Sequence, residues 1–138
     1  MSLTNAIINW KRYLKRRNCS PNTIKNYLNT IKSYIVWLDV PLENVTHATV
    51  SHYIDYLMRK RLEPKTINCH LNSIRQFYYY LREEEHLAIT NPVRNNHTLR
   101  MARPLPRYLT DDQVETFFKV VKGHRDRAVF MLMIRCGL

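Results

Sequence analysis

The sequence predicts an all-α fold, on three observations. Its 138 residues include only two glycines. Apolar residues recur at spacings of three and four along successive stretches, the period of a helix that buries one face. Prolines stand at the heads of two such stretches (Pro21, Pro64) rather than inside them, at the first-turn position where a missing amide costs nothing. An apolar share of 45% supports a packed core and argues against wholesale disorder.

The elements follow in order. A first helix is expected from Thr4 to about Arg17, burying Ile7, Ile8, Trp10, Tyr13 and Leu14. Its basic end, Lys15-Arg16-Arg17, suits the negative pole of a helix dipole and equally a phosphate. Ser20 then offers an N-cap before Pro21, and a second helix carries Ile24, Tyr27, Leu28, Ile31, Ile35 and Leu38 inward. Val40-Pro41-Leu42 breaks the pattern. Thr46 caps a third helix, His47 to about Arg61, with Val50, Tyr53, Ile54, Leu57 and Met58 buried. Pro64 opens a fourth, with Ile67, Leu71, Ile74, Phe77, Tyr78 and Leu81 inward. Glu83-Glu84-Glu85 is expected to face solvent, and Asn91-Pro92 closes a first domain over residues 1–93. Residues 94–108, basic and punctuated by Pro104 and Pro106, read as a linker. Thr110-Asp111-Asp112-Gln113 is a capping-box pattern that starts a helix ending near Gly123. The segment from Arg125 to Cys136 is apolar almost all round, as a helix inside a larger core would be. Residues 109–138 are therefore expected to be the start of a second, truncated domain.

Residues 20–38 and 63–81 look like one helix written twice. Pro21, Thr23, Ile24, Leu28, Asn29 and Ile31 recur as Pro64, Thr66, Ile67, Leu71, Asn72 and Ile74, 43 positions on. Opposite each apolar stripe lies a face of Asn, Lys, Arg and Gln with no acid after the first turn.

Charge gives that face a candidate partner. The net charge is +11, and residues 1–38 hold seven Lys or Arg and no Asp or Glu. Such a field favours a polyanion, because neutralising phosphates releases condensed counterions. Cys19, Cys69 and Cys136 are odd in number and widely spaced, which fits neither a disulfide framework nor a zinc site and fits a reducing cytoplasm. The six histidines show no metal-ligand spacing. No apolar run approaches the roughly 18 residues of a membrane span, and no signal peptide is visible. No metal, cofactor or small-molecule ligand is expected.

On the second helix, Asn22, Lys25, Asn26 and Asn29 lie away from the apolar stripe, and on the fourth Lys65, Asn68, Asn72 and Arg75 do so. Asn pairs bidentately with adenine in a major groove, and Arg and Lys pair with guanine, each discriminating by roughly 1–3 kcal/mol. Ser20, Thr23 and Thr66 stand at or in first helical turns, where hydroxyl and free amide groups hold phosphate. Arg16 and Arg17 extend the surface at the end of the first helix, and Arg103 and Arg107 extend it in the linker. The same residues also fit a merely solvated face. A 43-residue period lies within the range of helical solenoids as well. That leaves a helical protein-interaction module with an incidental basic face as the alternative to a module that grips duplex DNA.

Several motifs, in this order, resemble a known family. They are Ser20-x-x-Thr23-x-x-x-Tyr27, Lys65-Thr66-Ile67, then Leu71-x-x-Ile74-Arg75-x-Phe77-Tyr78-x-Tyr80-Leu81 and Asn91-Pro92. The order is similar to the N-terminal core-binding, SAM-like domain of tyrosine recombinases, the phage-integrase and Xer-like family. Leu105 to Val114, Arg125-Asp126-Arg127-Ala128 and Arg135-Cys136-Gly137-Leu138 look like the opening of that family's catalytic domain. The resemblance implies two crossed helical hairpins whose second and fourth helices lie against the major groove of a recombination site. It implies strand exchange through a phosphotyrosine without metal or high-energy cofactor, and other recombinase subunits as partners. No catalytic residue is assigned. The family's first catalytic Arg follows the Gly-Leu pair, so its position would fall after Leu138, and Arg135 is not that residue. Each of the nine tyrosines is expected to serve packing or phosphate contact.

Overall fold

The computed structural model describes residues 3–103, 105 and 107–136, and among them only helices and turns occur. The helices are α1 (Leu3–Arg16), α2 (Pro21–Trp37), α3 (His47–Arg59), α4 (Pro64–Glu83), α5 (Asp111–Val120) and α6 (His124–Cys136). Two compact units result, Met1–Met101 and Ala102–Leu138. Pro104 and Pro106 of the expected linker, and Gly137-Leu138 of the expected catalytic-domain opening, lie outside the described residues.

The first unit is built from two helical hairpins, α1–α2 and α3–α4, with α2 packed most extensively on α4. Each hairpin turns without glycine. At the end of α1 the Asn18 amide bonds Lys15 O at 2.9 Å and the Cys19 amide bonds Leu14 O at 3.1 Å, with Asn18 at φ 55°. At the end of α3 the Arg61 amide bonds Met58 O at 2.8 Å and the Leu62 amide bonds Leu57 O at 3.3 Å, with Arg61 at φ 59°. Both are Schellman closures, which occupy carbonyls that a helix end leaves unpaired. The next helix starts at once. Ser20 Oγ accepts the Thr23 amide at 3.1 Å ahead of Pro21, and Pro64 holds the equivalent first position of α4. Thr46 and Thr49 close a reciprocal box at the start of α3.

The core sits between the hairpins. Trp10, Leu14, Ile24, Ile31, Val50, Tyr53 and Leu57 are buried, as are all six α4 residues expected inward. Two expectations fail. Ile8 is 46% exposed, because the buried stripe of α1 runs Ala6–Trp10–Leu14 and Ile8 stands about 200° round from Ala6. Met58 is 50% exposed, one position beyond the Val50–Tyr53–Leu57 stripe. Tyr34, Ala6 and Tyr80 are buried instead, and burial pushes the Tyr34 hydroxyl up to about 12.

Two local corrections concern the end of this unit. Glu85 is half-buried rather than solvated. The Tyr80 hydroxyl donates to it and Asn9 Nδ2 lies 3.4 Å away, where the chain reverses at His86 with φ 51°. The stretch expected to be free linker from Arg94 begins inside the first unit. After a 3-10 turn at Asn95–His97, the backbone of Leu99 is held on both sides by Asn68.

In the second unit Thr110 and Gln113 form the expected capping box, the two bonds measuring 3.0 and 3.4 Å. Phe117 meets Phe130 edge-on at 4.9 Å, joining α5 to α6. No side chain of either helix is fully buried.

Candidate nucleic-acid interface

The α2–α4 contact gathers part of the expected set into one groove, lined by Asn26 and Asn29 of α2 and by Lys65, Thr66 and Cys69 of α4, with His70 at its wall. The helical period explains this. Asn26 and Asn29 are three apart, as are Thr66 and Cys69, so each pair projects from one side of its helix. Burial holds His70 below the ordinary imidazole range, and Tyr53 Oη shares a 3.3 Å hydrogen bond with its Nδ1. The groove wall is therefore neutral, and its positive charge comes from Lys65.

A second groove brings Arg17 and Arg75 together across Tyr13, Tyr27 and Tyr79. Arg17 donates to the Tyr13 hydroxyl at 3.1 Å, a bond that raises its guanidinium pKa, and it lies 5.7 Å from that ring's centroid. Its aim is fixed by an aromatic neighbour without loss of charge. Asn72 is exposed and donates to Tyr27 Oη at 3.1 Å, which spends one amide proton and leaves Oδ1 and the second proton available. A third groove, between α1 and α2, is rimmed by Lys11, Lys15, Lys25 and Lys32 over Ile24 and Leu28.

Other members of the set stand apart. Asn22 is exposed on the first turn of α2, and Arg16 is exposed at the end of α1. Ser20 and Thr23 spend their hydroxyls on one another at 2.8 Å and on the helix cap, so a phosphate here competes with an existing bond. Asn68 is the clear reassignment: its Nδ2 donates to Leu99 O at 3.0 Å and its Oδ1 accepts the Leu99 amide at 2.8 Å. Both ends of that amide serve the fold. Arg103 and Arg107 are exposed and belong to the second unit.

Sequence reasoning passed over Lys11 and Lys32, and took Lys15 only as part of the basic end of α1. The i, i+4 spacing of Lys11 and Lys15 was the available signal, although nothing in it says that α2 lies alongside. Among the described residues the one ion pair is Arg82–Glu83 at 2.8 Å, roughly half exposed on both sides. The basic faces are thus not neutralised internally. Within those residues no three His, Cys, Asp or Glu side chains cluster as a metal site, and no helix is long and apolar enough to cross a membrane.

Two helical hairpins that bury aromatic stripes and turn amide and cationic faces outward define a four-helix domain of the SAM-like class. Comparison with known proteins agrees. Residues 7–87 match the family model described as "Phage integrase, N-terminal SAM-like domain". Over 119 residues, 84% of this chain and 39% of the relative, the sequence is 33% identical to tyrosine recombinase XerD of Chlorobaculum tepidum. Over 136 residues, 91% of this chain and 45% of the relative, it is 29% identical to tyrosine recombinase XerC of Halalkalibacterium halodurans. The chain belongs to the tyrosine recombinase (phage integrase) family, through its N-terminal SAM-like domain. It spans less than half the length of these two relatives.

Proposed function

We propose that residues 1–93 grip duplex DNA at a recombination site, as the DNA-binding part of a site-specific tyrosine recombinase. The observation that carries this reading is the groove where α2 and α4 meet, in which Asn26, Asn29, Lys65 and Thr66 converge without an acidic neighbour. Amide and ammonium groups on adjoining helices supply both base-edge and phosphate contacts. In this proposal the strand-exchange chemistry belongs to the catalytic domain of the whole protein, which α5 and α6 begin, and its partners are further recombinase subunits.

Duplex binding by the 138-residue chain tests the reading. The log of the association constant falls with the log of salt concentration with a slope on the order of −4 to −7, for several phosphates neutralised. Lys25→Glu and Lys65→Glu each weaken binding on every sequence and flatten that slope by about one. Asn72→Ala relaxes preference at one base position, and an equal loss on all sequences would refute base readout there. Salt-independent association, or none at about 50 mM salt, sinks the whole reading. Capture of a protein partner that survives nuclease and high salt would favour an interaction module instead.

A further inference from the structure

The 43-residue repeat extends beyond the two helices in which the sequence displays it. Both first helices end in register, at Arg16 and Arg59, and both second helices begin in register, at Pro21 and Pro64. The left-handed residues Asn18 and Arg61 are equivalent, and so is every hydrogen bond of the two Schellman closures. Arg17 over the Tyr13 ring, at 5.7 Å, has its counterpart in Lys60 over Tyr56, at 4.6 Å.

Contacts between the hairpins define how the copies are related. Trp10 of the first meets Phe77 of the second at 4.9 Å, and their equivalents Tyr53 and Tyr34 meet at 5.1 Å. Tyr13 meets Tyr80 at 5.1 Å, and the equivalents Tyr56 and Trp37 meet at 5.8 Å. A translational or screw repeat would pair Trp10 with the second hairpin but send Tyr53 on to a third copy. Here both of these aromatic contacts are answered by their own exchange, the signature of an isologous, two-fold interface. The axis lies at the α2–α4 contact, where the equivalent residues Asn26 and Cys69 line one groove.

We propose that this internal two-fold is used for recognition: Asn29 with Asn72, and Lys32 with Arg75, make equivalent contacts to the two strands about a dyad of the bound duplex. The proposal rests on the duplex-binding reading above. The strands of a duplex are related by two-fold axes perpendicular to its length, and a two-fold protein reads a pseudo-palindrome when the axes coincide. Asn29 and Asn72 are exposed on equivalent turns of helices that pack on each other, each with an amide atom free for a base edge. The symmetry is approximate. Lys25 is free where Asn68 clamps Leu99, and Ser20 caps α2 where Glu63 makes no side-chain cap. The two half-sites therefore differ in their outer contacts and agree in their inner ones.

Selection of preferred duplexes from a randomised pool by the intact chain tests this. The expected motif has inverted-repeat character at its centre. Asn29→Ala and Asn72→Ala each lose roughly 5- to 150-fold discrimination, at positions mirrored about that centre and on opposite strands. Circular dichroism of both variants checks that the helices persist. Duplex binding with a motif lacking inverted symmetry, with no base preference, or with both variants acting on the same strand overturns the dyadic readout and leaves duplex binding standing. Failure to retain any duplex overturns the underlying reading instead.

Discussion

Helices α4 and α6 are both rich in apolar residues and end in opposite situations. In α4 the inward stripe falls at 67, 71, 74, 77, 78 and 81, and each of these six is at most 2% exposed, while Tyr79, off the stripe, is 45% exposed. In α6 they run consecutively from Ala128 to Ile134, and Val129, Met131, Leu132, Met133 and Ile134 are 40–55% exposed. The difference lies in period rather than amount. A stripe is satisfied by one neighbouring layer, whereas a helix apolar all round needs cover on every side, and α5 meets it on one. The first unit is thus a finished core and the second is two helices sharing an aromatic contact.

That comparison can be broken most forcefully at Phe77. Phe77→Ala should cost about 3–5 kcal/mol in urea unfolding followed by circular dichroism. Leu132→Ala in α6 should change that unfolding by less than about 0.5 kcal/mol, and equal effects would erase the distinction. Asn68→Ala comes next. It removes both bonds to Leu99, and at about 1–3 kcal/mol it should expose the Leu99 amide to hydrogen exchange while leaving the Ile74 amide protected. The two hairpins themselves can be compared at their caps. Ser20→Ala should destabilise by about 1 kcal/mol, whereas Glu63→Ala, lacking a cap bond, should be close to neutral.

The smallest effect is a pH dependence. Burial holds His70 below its ordinary 6.5, and His97 is lowered too, by burial first and then by the nearby His47, Arg94 and Arg75. Below about 6.5 the unfolded chain then binds more protons than the native one, so stability rises with pH through that window and levels off above it. Melting temperature should fall on acidification from neutrality, and His70→Asn should shrink the fall without abolishing it. A slope unchanged by that substitution would place the titration elsewhere.

Much of this was legible in the sequence where a local rule governs. Pro21 and Pro64 marked two helix starts, Thr46 and Thr110 marked two more, and the six inward residues of α4 followed from period alone. The hairpin turns were less visible, since Asn18 and Arg61 occupy the left-handed region without the glycine that usually announces it. Tyr34 was missed because it falls between Ile31 and Ile35, and only the arrival of Tyr53 from α3 makes it central. The interface was legible as a face but not as a set of free hands. Asn68 has the right residue type and register for DNA, yet a segment 31 positions away had already taken its amide.

That clamp has a mechanical consequence. A chain spans at most about 3.3–3.6 Å per residue, so pinning Leu99 rather than letting the chain go at Arg94 removes roughly 20 Å from the furthest reach of whatever follows. The tether effectively starts at Arg100. Cutting the Asn68 latch would lengthen the leash and so lower the effective concentration of the following segment near the first unit, while leaving the residues that line the α2–α4 groove in place.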